Sequence, residues 1–190
     1  MIPPGVLRAR NAMATRQAIL DCARERLREE GYDGASLREI AACAGVDAAL
    51  ISRYFGSKEE LLVEVLQSGR APVELFCDPR ETFGRRMADF LVCTPPDDRG
   101  LDCLVIVLRS LSSQVAAEAI RKTSHANFYA PLVDWLGGPD AQVKGQLIAA
   151  IMKGVAISRF MDSGLGFDDE ARMRFRDRLA TTLQRIVDDP

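Results

Sequence analysis

The 190-residue chain has one histidine, His125, one tryptophan, Trp135, and an aromatic content of only 6%. Its five cysteines, Cys22, Cys43, Cys77, Cys93 and Cys103, are odd in number and scattered, and none forms a CxxC pair. One imidazole and dispersed thiols give no zinc-ligand spacing, so no metal is expected. The thiols read as small apolar residues of a reducing compartment, with a redox-sensing thiol as the alternative. A phosphate-cradling glycine loop, a Ser-His-Asp set and paired intrahelical carboxylates are all missing, so neither catalysis nor a cofactor is expected. Apolar runs such as Cys103 to Leu108 fall far short of the roughly 18 residues of a membrane span. No apolar stretch follows Arg8 and Arg10, which reads against a secretory signal.

One-sided charge is lacking too. The net charge is −2 and the pI near 5.6, which argues against a protein that coats nucleic acid indiscriminately. Residues 1–58 carry nine Lys and Arg against seven Asp and Glu, and the remainder sixteen against twenty. This mild asymmetry permits a small nucleic-acid-reading surface near the N-terminus. A hydrophobic content of 47% and a charged content of 27% suit one globular domain or two small ones.

Apolar residues recur at three and four, and alternating strand patterns are absent, so the fold class is all-α. Residues 1–14, with Pro3, Pro4 and Gly5, are expected to be a flexible arm. A first helix is predicted over 15–30, with Ile19, Leu20, Ala23 and Leu27 on its inner side and Gly31 at its end. Ser36 and Glu39 form a capping box that opens a short helix ending near Cys43. Asp47 is an N-cap for a second short helix through Tyr54, which Gly56 closes. Ser57 and Glu60 cap a helix over 58–68. Further helices are predicted over 79–93, 101–112, 113–123, 125–136, 140–163 and 168–187. Pro95-Pro96, Gly137-Gly138-Pro139 and Gly164-Leu165-Gly166 are the breaks.

Two short helices about a tight turn at Gly45 make a helix-turn-helix. Ala41 is small where the helices cross, Gly45 suits a positive φ, and Leu37, Ile40 and Ile51 fill the wedge. Gly31-Tyr32, Ser36, Arg38-Glu39-Ile40-Ala41, Gly45-Val46, Tyr54-Phe55 and Ser57-Lys58-Glu59-Glu60-Leu61 lie around it. With these marks, residues 19–62 resemble the DNA-binding domain of the TetR (tetracycline repressor-like) family of bacterial transcriptional regulators. The resemblance implies a three-helix DNA-binding domain over 15–68 and a helical effector-binding and dimerisation domain over 69–190. It also implies a cytoplasmic homodimer that represses transcription, binds a near-palindromic double-stranded operator and is released by a small-molecule effector.

In such a domain the second short helix enters a major groove. Ala48 and Leu50 can touch a thymine methyl, while Arg53, and secondarily Arg38, can reach guanine O6 and N7. Ser36, Ser52, Tyr54 and Lys58 are the phosphate candidates, Lys58 aided by the helix dipole. Each has a plainer alternative: Arg38 and Arg53 as solvated charges, Ser36 and Lys58 as caps, Tyr54 as core. Two residues depart from the family pattern. Asp47 stands where serine is frequent, and Ser52 where tyrosine is usual.

The last two predicted helices carry apolar stripes suited to pairing. Leu147, Ala150, Ile151, Gly154 and Ile157 lie on one, and Phe175, Leu179, Leu183 and Ile186 on the other. The resemblance places the dimer interface there; the alternative is each subunit's own core. It also places an effector pocket among the middle helices, with Met87, Phe90, Leu104, His125, Phe128, Tyr129, Trp135 and Met152 as candidates against an ordinary core role. Arg109 either meets an anionic ligand or pairs with an acid. Set against the regulator are a helical partner-binding module without DNA binding and a helical enzyme or carrier, which no residue pattern supports.

Overall fold

The computed structural model describes the backbone of residues 4–68, 79–95, 99–161 and 165–189, with side chains from 11 in the first stretch and 102 in the third. Cys77, Pro96 and Gly164 lie outside the described residues. The elements are α1 (Pro4–Gly34), α2 (Leu37–Cys43), α3 (Ala48–Phe55), α4 (Lys58–Ser68), α5 (Phe83–Cys93), α6 (Arg99–Ser110), α7 (Gln114–Ser124), α8 (Ala130–Leu136), α9 (Ala141–Met161) and α10 (Asp169–Asp188). No strand occurs among the described residues.

Two compact units emerge. The first comprises residues 1–68 with 106–120, and the second 69–105 with 121–190. The segment 106–120, expected within the C-terminal domain, therefore groups with the N-terminal helices. Its reason is local: Ser110 Oγ accepts the Tyr32 backbone N–H at 3.1 Å, and the Arg109 guanidinium donates to the Glu29 carbonyl. Arg109 thus meets a backbone oxygen near the end of α1, and α6 contributes to both units.

In the first unit, α1 begins at Pro4, well inside the stretch expected as an arm. Residues 7–14 are mostly good helix formers with no breaker among them, and Pro4 is tolerated in a first turn. Gly31 breaks α1 with φ 71° and ψ −177°, the role its position predicts. Ile19, Ala23 and Leu27 of α1 are buried with Ile40 and Ala41 of α2, Ile51 and Phe55 of α3, and Leu61, Leu62 and Val65 of α4. Arg24, itself buried, donates to Asp21 of the same helix at 3.0 Å and ties α1 to the end of α4 through Ser68 Oγ at 2.8 Å.

In the second unit, Phe83, Met87 and Leu91 of α5 form one core with Leu132 and Leu136 of α8, Ile148 and Met152 of α9, and Leu179 and Leu183 of α10. Helix α10 crosses α5 at Gly84, whose N–H donates to Gln184 Oε1 at 2.9 Å. Arg159 of α9 donates to the Leu91 carbonyl at 2.5 Å and to the Thr94 carbonyl at 2.8 Å, satisfying orphan acceptors at the end of α5. Burial holds its pKa below the usual arginine value.

Several boundaries differ from expectation. Pro79 keeps an extended ψ of 135°, so a short 3-10 turn (Arg80–Thr82) precedes α5 instead of a full helical turn from 79. No break separates α7 from α8. A π turn over His125–Tyr129 joins them, and the Ala130 N–H bonds the His125 carbonyl five residues back. Pro131 has no N–H to donate, and its ring would crowd the carbonyl four residues earlier in a regular helix; the wider winding accommodates it.

Candidate nucleic-acid interface

The interface rests on two capping boxes and one turn. Ser36 Oγ accepts the Glu39 N–H at 3.2 Å while the Glu39 carboxylate accepts the Ser36 N–H at 3.2 Å, which starts α2. The same serine holds the Glu39 carboxyl below the ordinary carboxylate range. The Val46 N–H donates to the Ala41 carbonyl at 2.9 Å, and Gly45 takes φ 66°, so the chain reverses within three residues. Asp47 Oδ1 accepts the Ala49 N–H at 2.7 Å and starts α3. Its charge is therefore engaged in capping, which accounts for an acid at this position.

Buried Ile51 and Phe55 fix the rotation of α3, because both must face the core. The opposite face is then determined: Ala49, Ser52 and Arg53 are exposed, with Ala48, Leu50 and Tyr54 half-buried on its flanks. Arg38 is exposed on the first turn of α2 and Ser36 is half-buried before it. Ala49 was not among the sequence candidates, although it precedes Arg53 by four residues and so shares its helix face. Tyr54 lies beside Phe55, with ring centroids 6.4 Å apart.

Lys58 is placed differently from a freely extended lysine. Its Nζ lies 4.4 Å from the centre of the Tyr32 ring, an arrangement that holds the ammonium at the start of α4. The Tyr32 hydroxyl donates to Glu59 Oε1, so neighbouring residues of α4 grip one aromatic ring by its face and its hydroxyl. Burial, then the hydrogen bond to Glu59, pushes the Tyr32 phenol well up, and the same bond holds the Glu59 carboxyl below its usual 4.5.

That bond makes a pH-dependent prediction. A carboxylate depressed in the folded state stabilises the fold above its unfolded pKa and loses that contribution as pH falls through the folded value. Tyr32→Phe is expected to destabilise the protein by about 1 kcal/mol at pH 7. The gap between wild type and variant should then narrow as pH falls below 4.5. Urea unfolding at pH 7 and pH 3.5 checks this, and a gap of constant size would contradict a charge-assisted bond.

The remaining sequence candidates lie in the second unit. Met87 and Met152 are core residues, and Phe90, Phe128 and Trp135 pack against that core. Leu104 and Tyr129 are half-buried, and the Tyr129 hydroxyl donates to the Gln142 carbonyl at 3.0 Å. His125 is exposed rather than enclosed, its ring centroid 5.6 Å from that of Tyr129. On α9, Leu147, Ala150, Gly154 and Ile157 are exposed and Ile151 is half-buried. On α10 the stripe is divided. Leu179 and Leu183 are buried in the chain's own core because α10 packs along α5, while Phe175 and Ile186 are half-buried beside them. Val143 and Met161, missed in the sequence, extend the exposed α9 stripe at both ends.

A helix-turn-helix carried by a three-helix head, followed by a separate helical unit, defines the architectural class. Residues 19–65 match the model of the bacterial regulatory proteins of the tetR family, and residues 81–187 match the tetracyclin repressor-like C-terminal domain. The chain belongs to the TetR family. It is 42% identical over 53 residues to the HTH-type transcriptional regulator BetI of Rhizobium meliloti, covering 28% of this chain and 26% of that protein. It is 38% identical over 61 residues to the HTH-type transcriptional repressor NicS of Pseudomonas putida, covering 32% and 29% respectively. These matches thus span between a quarter and a third of the relatives' length. NalD, the secondary repressor of the MexAB-OprM multidrug efflux pump in Pseudomonas aeruginosa, shares the fold with a TM-score of 0.73 at 21% identity, over 95% of this chain and 100% of NalD. Salmonella enterica GusR does so with a TM-score of 0.68 at 19% identity, over 91% and 93%.

Proposed function

We propose that the chain is a sequence-specific DNA-binding repressor that acts as a homodimer, reads a near-palindromic operator and is released by a small-molecule effector. The observation that carries this reading is the solvent face of α3, where Arg53 stands exposed beside Ala49 and Ser52 on a helix backed by Ile51 and Phe55. In the docked head, Arg53 and Arg38 reach base edges, Ala48 and Leu50 meet thymine methyls, and Ser36, Ser52, Tyr54 and Lys58 hold phosphates. The roles of NicS and NalD as repressors support repression as the direction of control.

Dimerisation is supported by α9. Val143, Leu147, Ala150, Gly154, Ile157 and Met161 are all exposed and alternate at spacings of four and three. A seam of that period suits a second helix lying alongside, and the small residues at its centre allow close approach. Helix α6 is the element suited to carry the effector's signal, since it contributes to both units and its last residues bond the end of α1. An effector that prefers a conformation with α6 displaced shifts the population off DNA. A two-headed reader of this kind acts in the cytoplasm, where the operator is.

Fluorescence anisotropy on DNA tiled across the region upstream of the protein's own gene, at several salt concentrations, tests the proposal. Saturable binding to one near-palindromic tile is the expected result. Arg53→Ala should cost about 1–3 kcal/mol, concentrated at one base position of each half-site. Lys58→Ala should weaken all tiles alike and lower the salt slope by about one. Unchanged affinity in both variants would overturn the docking described here. Equal weak binding to every tile, together with a stable complex with another protein, would favour a partner-binding module instead.

A further inference from the structure

Cys22 and Cys43 stand 21 residues apart in the chain, yet α1 and α2 bring them together with a Cα–Cα distance of 5.9 Å, and they are joined as a disulfide. Cys22 is half-buried on α1, and Cys43 is exposed as the last residue of α2. The separation falls in the ordinary range for a cystine, so the bond closes without moving either helix. In the dithiol state the helix contacts are already made by buried Ala23, Leu27, Ile40 and Ala41. Glu25 Oε2, 4.0 Å from Cys43 Sγ, can then accept the hydrogen of the reduced thiol. Both redox states are therefore compatible with the same head.

We propose that Cys22 and Cys43 form a reversible dithiol–disulfide couple, oxidised by a hydroperoxide, that staples α2 to α1 and makes the stability of the helix-turn-helix head depend on redox state. The exposed Cys43 thiol gives up its proton and the thiolate attacks the peroxide oxygen. The O–O bond breaks, the sulfur becomes a sulfenic acid, and the leaving oxygen takes up that proton as an alcohol, or as water when the oxidant is hydrogen peroxide. The Cys22 thiol then attacks that sulfur, the S–S bond forms, and water leaves. Two thiols and one hydroperoxide give one disulfide, one alcohol and one water. A thiol reductant reverses the bond by exchange. The staple closes a short loop that contains the whole of α2, so it removes freedom chiefly from the unfolded head. This proposal stands on the head alone and does not require that the head bind DNA.

The test uses the full chain, reduced with dithiothreitol and then treated with hydrogen peroxide. Peptide mapping after thiol alkylation should recover the Cys22–Cys43 linkage within one chain, and dithiothreitol should remove it. The oxidised form should melt higher by about 5 °C or more, the shift expected of a short cross-linked loop. Cys43→Ser, which alters an exposed side chain, should fold with the melting point of the reduced protein and lose the shift, and Cys22→Ala should lose it too. Cys93→Ser should keep it. Absence of the linked peptide, or a shift of the same size in Cys43→Ser, would overturn the proposal.

Discussion

Replacing Arg80 with alanine is expected to destabilise the second unit by about 3 kcal/mol, one of the two largest single-residue effects in the protein. One guanidinium donates to the carbonyls of Trp135 (3.2 Å), Leu136 (3.0 Å) and Val187 (3.0 Å). These are acceptors at the C-terminal ends of α8 and α10, where the helices leave their last carbonyls unpaired. The same group lies 5.2 Å from the centre of the Trp135 ring, which also stands beside Phe83 with centroids 4.9 Å apart. Removing the arginine loses three charge-assisted bonds and a cation–π contact, although Arg80 is only half-buried and water recovers part of the loss. Arg80→Lys should restore little, because one ammonium cannot fork across two helix ends. Trp135 is the sole tryptophan, so its fluorescence reports the site directly during urea unfolding. An unchanged midpoint in Arg80→Ala would show that the carbonyls do not need the guanidinium.

The second large effect is expected at Gly31. Its φ of 71° with ψ −177° belongs to a region that side chains avoid, at a cost of roughly 1–3 kcal/mol. Space is lacking as well. A Cβ there would lie 2.5 Å from the Arg109 carbonyl oxygen and 3.0 Å from its carbon, both backbone atoms of α6. Gly31→Ala must therefore strain the turn and push α6 off α1, breaking the Tyr32–Ser110 bond. A loss of about 3–4 kcal/mol is expected. Gly45→Ala is the control, since Gly45 also has positive φ (66°) but a Cβ there would meet nothing within 4 Å. That variant should lose only about 1 kcal/mol. Thermal unfolding of both variants separates the two causes, and equal losses would remove the steric part of the explanation.

The head was readable in the chain because its determinants are local. Ser36 with Glu39, and Ser57 with Glu60, are three residues apart, and their reciprocal bonds form as soon as a helix starts. The spacing of Ile40, Gly45 and Ile51 specifies which sides of α2 and α3 turn inward, and hence that Arg53 turns outward. The Lys58 contact was not readable, since it depends on Tyr32 arriving 26 positions earlier in the chain with its ring beneath the ammonium. The link between Cys22 and Cys43 escaped for the same reason. Nothing in either cysteine's own neighbourhood names the other.

The two long C-terminal helices mark the boundary most clearly. Both α9 and α10 carry apolar residues at helical spacing, and periodicity treats the two stripes alike. Packing separates them: α10 spends Leu179 and Leu183 on the chain's own core, while α9, which also contributes Ile148 and Met152 to that core, leaves Val143, Leu147 and Ile157 exposed. The sequence by itself thus determined the helical class, the helix-turn-helix and the face it presents, because caps, turns and periodicity act between residues near in the chain. Only the tertiary structure decided which apolar stripe is core, that the end of α6 belongs with α1, and that two distant cysteines meet. Those outcomes depend on which surfaces bury one another, and burial is a property of the assembled helices rather than of any one of them.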